Sequence, residues 1–276
     1  DRAHHGIIHT ATGEVERVDA VFPVLHGMNG EDGTIQGLLT IAGIPFVGCN
    51  TEASAVCMDK AVTNALADFY GIPQAKWTAF DRHAYAADKA LLLKTAADKL
   101  GFPIFVKPAN TGSSVGVTKV CSFDELAPAC EKAFEFDKKI VLEEGIDGVE
   151  IECAVLGNEE PIASVVGEIV PCNDFYDYDA KYLAGDSELH IPARLPEEKL
   201  EAVRAAAVNA FRSFGCSGLT RVDFFVRRSD GEILLNEPNT IPGFTEISMY
   251  PKLFAASGIP YPELLDKLIN YAIERQ

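Results

Sequence analysis

Hard oxygen donors gather in residues 234–249, LLNEPNTIPGFTEISM. Glu237 and Asn239 stand two apart after an apolar run, so in an extended strand both side chains point to one face. Arg221 and Asp223 repeat that spacing inside GLTRVDFFV, a second strand-like run. Adjacent strands would bring Asp223, Glu237 and Asn239 together as two carboxylates and an amide beside one guanidinium. Magnesium takes a few such oxygens and leaves phosphates and water to complete its octahedron. In isolation the pattern also suits the solvent face of a hairpin. The Pro-Gly turn and the motifs upstream tip the balance toward a metal site.

KPANTGSSVGV (residues 107–117) sets Lys107 before a loop containing Ser113 and Ser114. Such a loop can turn N–H groups and hydroxyls toward a phosphate. It is not a Walker loop, because the lysine precedes the glycines, and a plain hairpin turn reads equally well. Lys60 follows Met58 and Asp59 at a helix N-terminus, where a cation opposes the macrodipole unless it is solvated or meets an anionic ligand. VLEEGIDGVEIE supplies Glu143, Glu144 and Glu150, a pattern fitting either a ribose and an adenine edge or an acidic surface hairpin. DFYDYDAKY (residues 174–182) joins aromatics to Lys181, as lids over active sites do. HGMNGEDGT places His26 and Glu31 at the carboxyl end of a strand, where α/β ligand sites concentrate, although a lone histidine is more often structural.

The elements that must position these groups follow from periodicity. Residues 18–25 read as a buried strand, 34–42 as a helix stopped by Gly43, and IPFVG as a second strand. Residues 54–70 form a helix closed by Gly71, which makes the opening half of a parallel α/β layer. Next come a helix over 89–100, strands FPIFVKP and VGVTKV around the glycine loop, a helix over 123–136 and the strand KIVLEEGI. Residues 151–170 and 218–236 are strand-rich, separated by a polar loop and a helix over 197–214. A helix over 258–276 ends the chain.

Lysine and arginine total 24 against 41 acids, a net charge of −17, which argues against a nucleic-acid or anionic-membrane partner. No apolar run approaches the ~18 residues of a membrane span. The seven cysteines are dispersed, without C-x-x-C or zinc spacing, which suits buried free thiols in a reducing cytoplasm. Asp1 in place of a methionine suggests a trimmed or incomplete chain.

Taken together, VFPVLHGMNGEDGTIQGLL, MDK, FVKPANTGSSVGV, FYDYDAKY, RVDFF and NEPNTIPGFTEIS resemble the D-alanine–D-alanine ligases of the ATP-grasp superfamily, in order and spacing across essentially the whole chain. The resemblance implies an α/β (α+β) ATP-grasp fold in three domains. These are residues 1–48 as an incomplete amino-terminal α/β domain, 49–142 as the central domain with the glycine-rich loop, and 143–276 as the carboxy-terminal domain with metal and substrate sites. It implies ATP-driven joining of two D-alanine molecules through an acyl phosphate, for peptidoglycan precursors, in the cytoplasm. ATP, two Mg2+ (or Mn2+) ions and two D-alanines are the implied ligands, and a homodimer is the implied assembly.

By the same resemblance Lys60, Lys107 and Ser114 contact the ATP phosphates, Glu143, Glu144 and Ile146 hold the adenine, and Glu150 the ribose. Lys181 reaches the γ-phosphate, while Asp223, Glu237 and Asn239 bind the metals. His26, Ser113, Tyr182, Arg221, Gly243 and Ser248 surround the amino acids, with Arg221 and the Gly243 N–H at the oxyanion. Relatives carry a further amino-terminal segment that completes the first amino-acid subsite, and Glu144 stands where many have lysine. The rival substrate is D-serine, whose ligases tend to place arginine where Met249 stands; apolar Met249 suits a methyl group. A depsipeptide ligase using D-lactate departs from the Y-D-x-x-x-K-Y loop. A nucleotide-binding module without turnover is the alternative of another class.

Overall fold

The computed structural model describes residues 5–170 and 188–275. A small hairpin opens it, β1 (Gly6–Ile8) against β2 (Val15–Arg17). Helix α1 (Thr34–Ala42) matches its expected span, and Gly43 closes it in the left-handed region with its N–H on the Leu39 and Thr40 carbonyls. Among the described residues the expected parallel layer is reduced to one bridge. Residues 18–25 make a single parallel bridge, Val21 to Phe46, built from Val21 N–H to Pro45 O at 2.8 Å and Val47 N–H to Val21 O at 2.9 Å. Val24 and Leu25 beyond it are exposed, so apolar content alone did not make a strand.

The long helix expected over 54–70 is two helices, α2 (Thr51–Met58) and α3 (Lys60–Tyr70). Asp59 breaks them with extended backbone, and its carboxylate accepts the Ala61 and Val62 N–H groups at 3.1 and 3.3 Å. That side-chain cap starts α3 afresh at Lys60.

The central sheet is formed by β3 (Trp77–Asp81), β4 (Ile104–Pro108), β5 (Thr118–Val120) and β6 (Lys139–Glu144), ordered β3-β6-β4-β5 and antiparallel throughout. Helices α4 (Arg82–Ala87), α5 (Lys89–Leu100) and α6 (Phe123–Ala133) accompany it. Inner strand β6 buries Ile140, Val141 and Leu142 in succession, because both its faces are covered.

The larger sheet comprises β7 (Gly148–Gly157), β8 (Ile162–Val170), β9 (Glu188–His190), β10 (Gly218–Arg227) and β11 (Ile233–Asn239), ordered β11-β10-β7-β8-β9. Alternation along β7 builds two cores. Ile151, Cys153 and Val155 face one cluster with α7 (Glu197–Ser213) and with residues of α2 and α3, so residues 49–72 pack on this sheet. Ala154 and Leu156 face the other, with α8 (Met249–Ala256) and α9 (Tyr261–Glu274). Strand β3 and helices α4 and α8 were not foreseen from the sequence.

The six cysteines within the described residues are free thiols, Cys57 and Cys216 lying 3.8 Å apart. Among the described residues no helix is long and apolar enough to cross a membrane.

Candidate active site

Strand register assembles the charged cluster. Arg221 pairs with Asn239, and Asp223 with Glu237 on one side and Glu152 of β7 on the other. Paired residues share a face, so Arg221, Asp223, Glu237, Asn239 and Glu152 occupy one patch of the larger sheet. The ladder shifts between Asp223 and Phe224, leaving Asn236 as an extra residue. Because of this bulge Leu235 enters the core beside Phe224, while Glu237, two residues on, emerges on the opposite face. An unbulged strand would have sent both to the same side.

Arg221 makes a fork to Asp223, Nε and Nη2 each at 2.7 Å from its oxygens, and lies 3.1 Å from Glu152. Burial works against the Arg221 charge, but Asp223 and Glu152 hold its pKa well above the ordinary arginine value. Asn239 Nδ2 donates to Asp223 at 2.9 Å, turning its amide oxygen away from that bond. Two carboxylates and an amide oxygen are the hard donors magnesium prefers. Among the described residues no group of three His, Cys, Asp or Glu has metal-binding geometry; here the third donor is an amide. The donor chemistry fits a hard divalent cation that takes its remaining ligands from phosphates.

Next to this patch a cleft of about 700 Å³ opens between the two sheets, a size that suits a nucleotide-scale ligand. Lys60, Lys107, Ser113, Ser114, Glu143, Glu144, Ile146, Glu150 and Glu237 all line it, so residues scattered over 178 positions of the sequence converge on one space. Lys107 Nζ lies 2.5 Å from Glu143, whose other oxygen accepts Asn64 Nδ2 at 3.0 Å. Burial opposes the Lys107 charge, but Glu143, with Glu237 and Glu150 nearby, keeps its pKa above the usual lysine value. Lys60 Nζ donates to the Thr111 carbonyl at 2.6 Å, tying α3 to the glycine-rich loop. In that loop Ser113 and Ser114 both have positive φ, 53° and 59°. Two successive non-glycine residues in the left-handed region are strained, a cost that persists where the surrounding structure fixes it.

Other groups flank the far side of the charged patch. His26 Nδ1 donates to the Ile241 carbonyl at 3.0 Å, and the Gly27 N–H donates to Glu31 at 2.7 Å. Burial raises the Glu31 pKa above its ordinary value, against the Gly27 hydrogen bond and His26, which lower it. Ser248 Oγ accepts the Thr245 N–H at 3.0 Å and closes the turn after Gly243. A Cβ on Gly243 would meet that Oγ at 2.7 Å, so a larger residue there would displace the Ser248 hydroxyl from its bond to Thr245.

One expectation needs correction. Met249 does not present a free face to a substrate: it is buried in the core beside Leu253, and a Cβ on Gly167 would meet its Cε at 2.4 Å. Glu144 turns its carboxylate to Lys76, accepting the Lys76 N–H at 2.9 Å, so what it offers the cleft is backbone. The Glu143 carboxylate meets Lys107 and Asn64 at the wall of the cleft and so links the lysine to α3. Lys181 and Tyr182 lie outside the described residues. Asn64 and Glu152 were missed from the sequence, although each carried a signal: Asn64 is one helical turn beyond Lys60, and Glu152 shares a strand face with Glu150.

Two family models cover most of the chain, the D-ala D-ala ligase N-terminus over residues 2–49 and the D-ala D-ala ligase C-terminus over 66–270. The chain is 54% identical over 260 residues to the D-alanine–D-alanine ligase of Acetivibrio thermocellus, covering 94% of this chain and 69% of that protein. With the D-alanine–D-alanine ligase of Ruminiclostridium cellulolyticum it shares 55% identity over 260 residues, at the same coverage. Among solved structures, the D-alanine-D-alanine ligase from Coxiella burnetii superposes with a TM-score of 0.84 at 39% identity, over 96% of this chain and 72% of that one. The VanG D-Ala:D-Ser ligase from Enterococcus faecalis gives 0.89 at 43% identity, over 99% and 77%.

Proposed function

This chain belongs to the D-alanine–D-alanine ligase family, and on that premise we propose how its residues carry the reaction. The enzyme joins two D-alanine molecules in an ATP-dependent, ADP-forming ligation that supplies a peptidoglycan precursor. The observation that supports this most directly is the ladder pairing of Asp223 with Glu237 and Arg221 with Asn239 at the edge of a nucleotide-sized cleft.

The carboxylate of the first D-alanine attacks the γ-phosphorus of ATP; the bond to the β-phosphate oxygen breaks, and ADP departs from an acyl phosphate. The amine of the second D-alanine then attacks the acyl carbon and loses a proton, and the C–O bond to phosphate breaks to release the dipeptide and inorganic phosphate. Lys60, Lys107, Ser114 and, by resemblance, Lys181 carry the phosphates. Glu143, Ile146 and the Glu144 backbone border the adenine, Glu143 also steadies Lys107, and Glu150 takes the ribose. Asp223, Glu237 and Asn239 would hold two Mg2+ (or Mn2+) ions, whose charge would lower the repulsion between nucleophile and phosphates. Arg221 and the Gly243 N–H face the oxyanion, a role worth about 3–4 kcal/mol per donor. His26, Ser113, Tyr182 and Ser248 position the two amino acids, and Met249 backs the site from within the core.

The division into residues 1–48, 49–142 and 143–276 is kept as part of this reading, with residues 49–72 packing on the larger sheet and β6 ending at Glu144. The setting is the cytoplasm, where ATP is available and thiols stay reduced, and the assembly a homodimer.

A second reading, D-serine as the second amino acid, draws support from the likeness to the VanG ligase. Full-length enzyme given ATP, magnesium and both amino acids should release ADP only with D-alanine present, and D-alanyl-D-alanine should dominate the products by mass. A dominant D-alanyl-D-serine product would overturn the substrate assignment, and ADP release that ignores D-alanine would overturn the ligase reading.

A further inference from the structure

The peptide of Ile241 is held from both sides by the loop over residues 25–33. His26 Nδ1 donates to the Ile241 carbonyl at 3.0 Å, while the Ile241 N–H faces the Glu31 carboxylate, which also accepts the Gly27 N–H at 2.7 Å. The loop that presents these groups is itself braced. Asp32 accepts the Asn29 and Thr34 N–H groups at 2.8 and 3.0 Å, and the buried Gln36 amide donates to the Gly30 carbonyl at 2.8 Å. Gly30 approaches Leu25 so closely that a Cβ would meet its carbonyl oxygen at 2.2 Å.

What it grips is the segment that most needs fixing. Ladder pairing of β11 ends at Asn239, opposite Arg221, so strand hydrogen bonds do not position residues 240–245. Thr245 and Ser248 close the far end of that turn; the near end rests on Ile241. Two residues beyond it stands Gly243, whose N–H faces the oxyanion in the reading above.

We propose that Glu31 is a positioning residue for the ligation step: together with His26 it clamps the Ile241 peptide and thereby fixes the Gly243 N–H relative to Glu237 and Asn239. The role rests on the ligase reading, but the clamp can be tested apart from it. Neither Glu31 nor Ile241 lines the nucleotide cleft, so weakening the clamp leaves ATP binding alone. A preorganised donor contributes only while it is held at the developing charge, so the loss falls on turnover.

The experiment compares full-length wild type with Glu31→Gln and Glu31→Ala. Glu31→Gln keeps one acceptor oxygen but loses the charge that serves two N–H groups. It should lower kcat on the order of tenfold, as expected for a lost charge-assisted hydrogen bond, with the KM for ATP within about twofold. Glu31→Ala should lose more. Amide exchange in a peptide spanning residues 240–245 should quicken in both variants, a readout that needs no activity. Unchanged exchange overturns the clamp whatever the kinetics, and so does a fall in ATP affinity matching the fall in kcat, which would mark a general loss of structure. Wild type that fails to release ADP with D-alanine would sink the ligase reading, and the exchange data would still decide the clamp.

Discussion

Glu237 is where residue identity matters most. It stands on the site face only because of the bulge beside it, and it adds charge near both Lys107 and Arg221. Glu237→Gln keeps the shape and removes a charged donor, so ADP release at limiting magnesium should fall about 100-fold. Near-normal turnover of that variant would remove Glu237 from the metal set. Met249 makes the opposite case. An arginine there, which the sequence suggested as a route to D-serine, would bury a cation among Ile169, Tyr250 and Leu253 without a partner. An uncompensated buried charge costs about 3–5 kcal/mol. Met249→Arg should therefore lower the melting temperature sharply before it alters substrate preference; a stable variant with changed product ratios would refute the core assignment.

Elements are tied to one another around the cleft by a few charged contacts, and the one joining β8 to the segment before α7 has a pH signature. Arg194 binds Glu168 with Nε at 3.1 Å and Nη2 at 2.7 Å, and its backbone N–H adds a third bond at 3.0 Å. The Arg194 hydrogen bond holds the Glu168 pKa below the ordinary glutamate value. A carboxylate whose pKa is depressed by folding stabilises the fold above its unfolded value, about 4.3, and loses that contribution as pH falls through the folded value. Thermal melts from pH 6 down to pH 3 should show stability declining below about pH 4, and Glu168→Gln should flatten that part of the curve. An unaltered slope would show that other carboxylates set the acid limit.

At the scale of the whole molecule, the cleft lies between the two sheets, and its walls come from both. A ligand bound there joins them. ATP analogue with magnesium at about 100 times its dissociation constant should stabilise the fold by about 2.7 kcal/mol, read as a concentration-dependent rise in melting temperature. Glu237→Gln should lose the magnesium-dependent part of that rise and keep the rest. A wild-type melting temperature indifferent to nucleotide would show that the fold does not bind it.

Local chemistry made much of this legible in advance. Helix α1 runs over its expected residues because Gly43 is a strong stop, and strands β4, β6, β7, β8, β10 and β11 stand where β-branched runs required them. Two-residue spacing paired Arg221 with Asp223 and Glu237 with Asn239, since side-chain alternation in a strand is a property of the chain itself. Only the tertiary structure decided what depended on a partner. Residues 18–25 are apolar enough for a strand but find one bridge instead of a ladder. The bulge at Asn236 comes from the register against β10, and it sends Leu235 inward and Glu237 outward. Met249 turned to the core, where its Cε packs against Gly167, on a strand far away in sequence, at a distance that a Cβ there would not allow. The Glu31 clamp needed residues 25–33 to meet a turn more than 200 positions later. Composition and spacing act along the chain, whereas these choices were settled by which surfaces met across it.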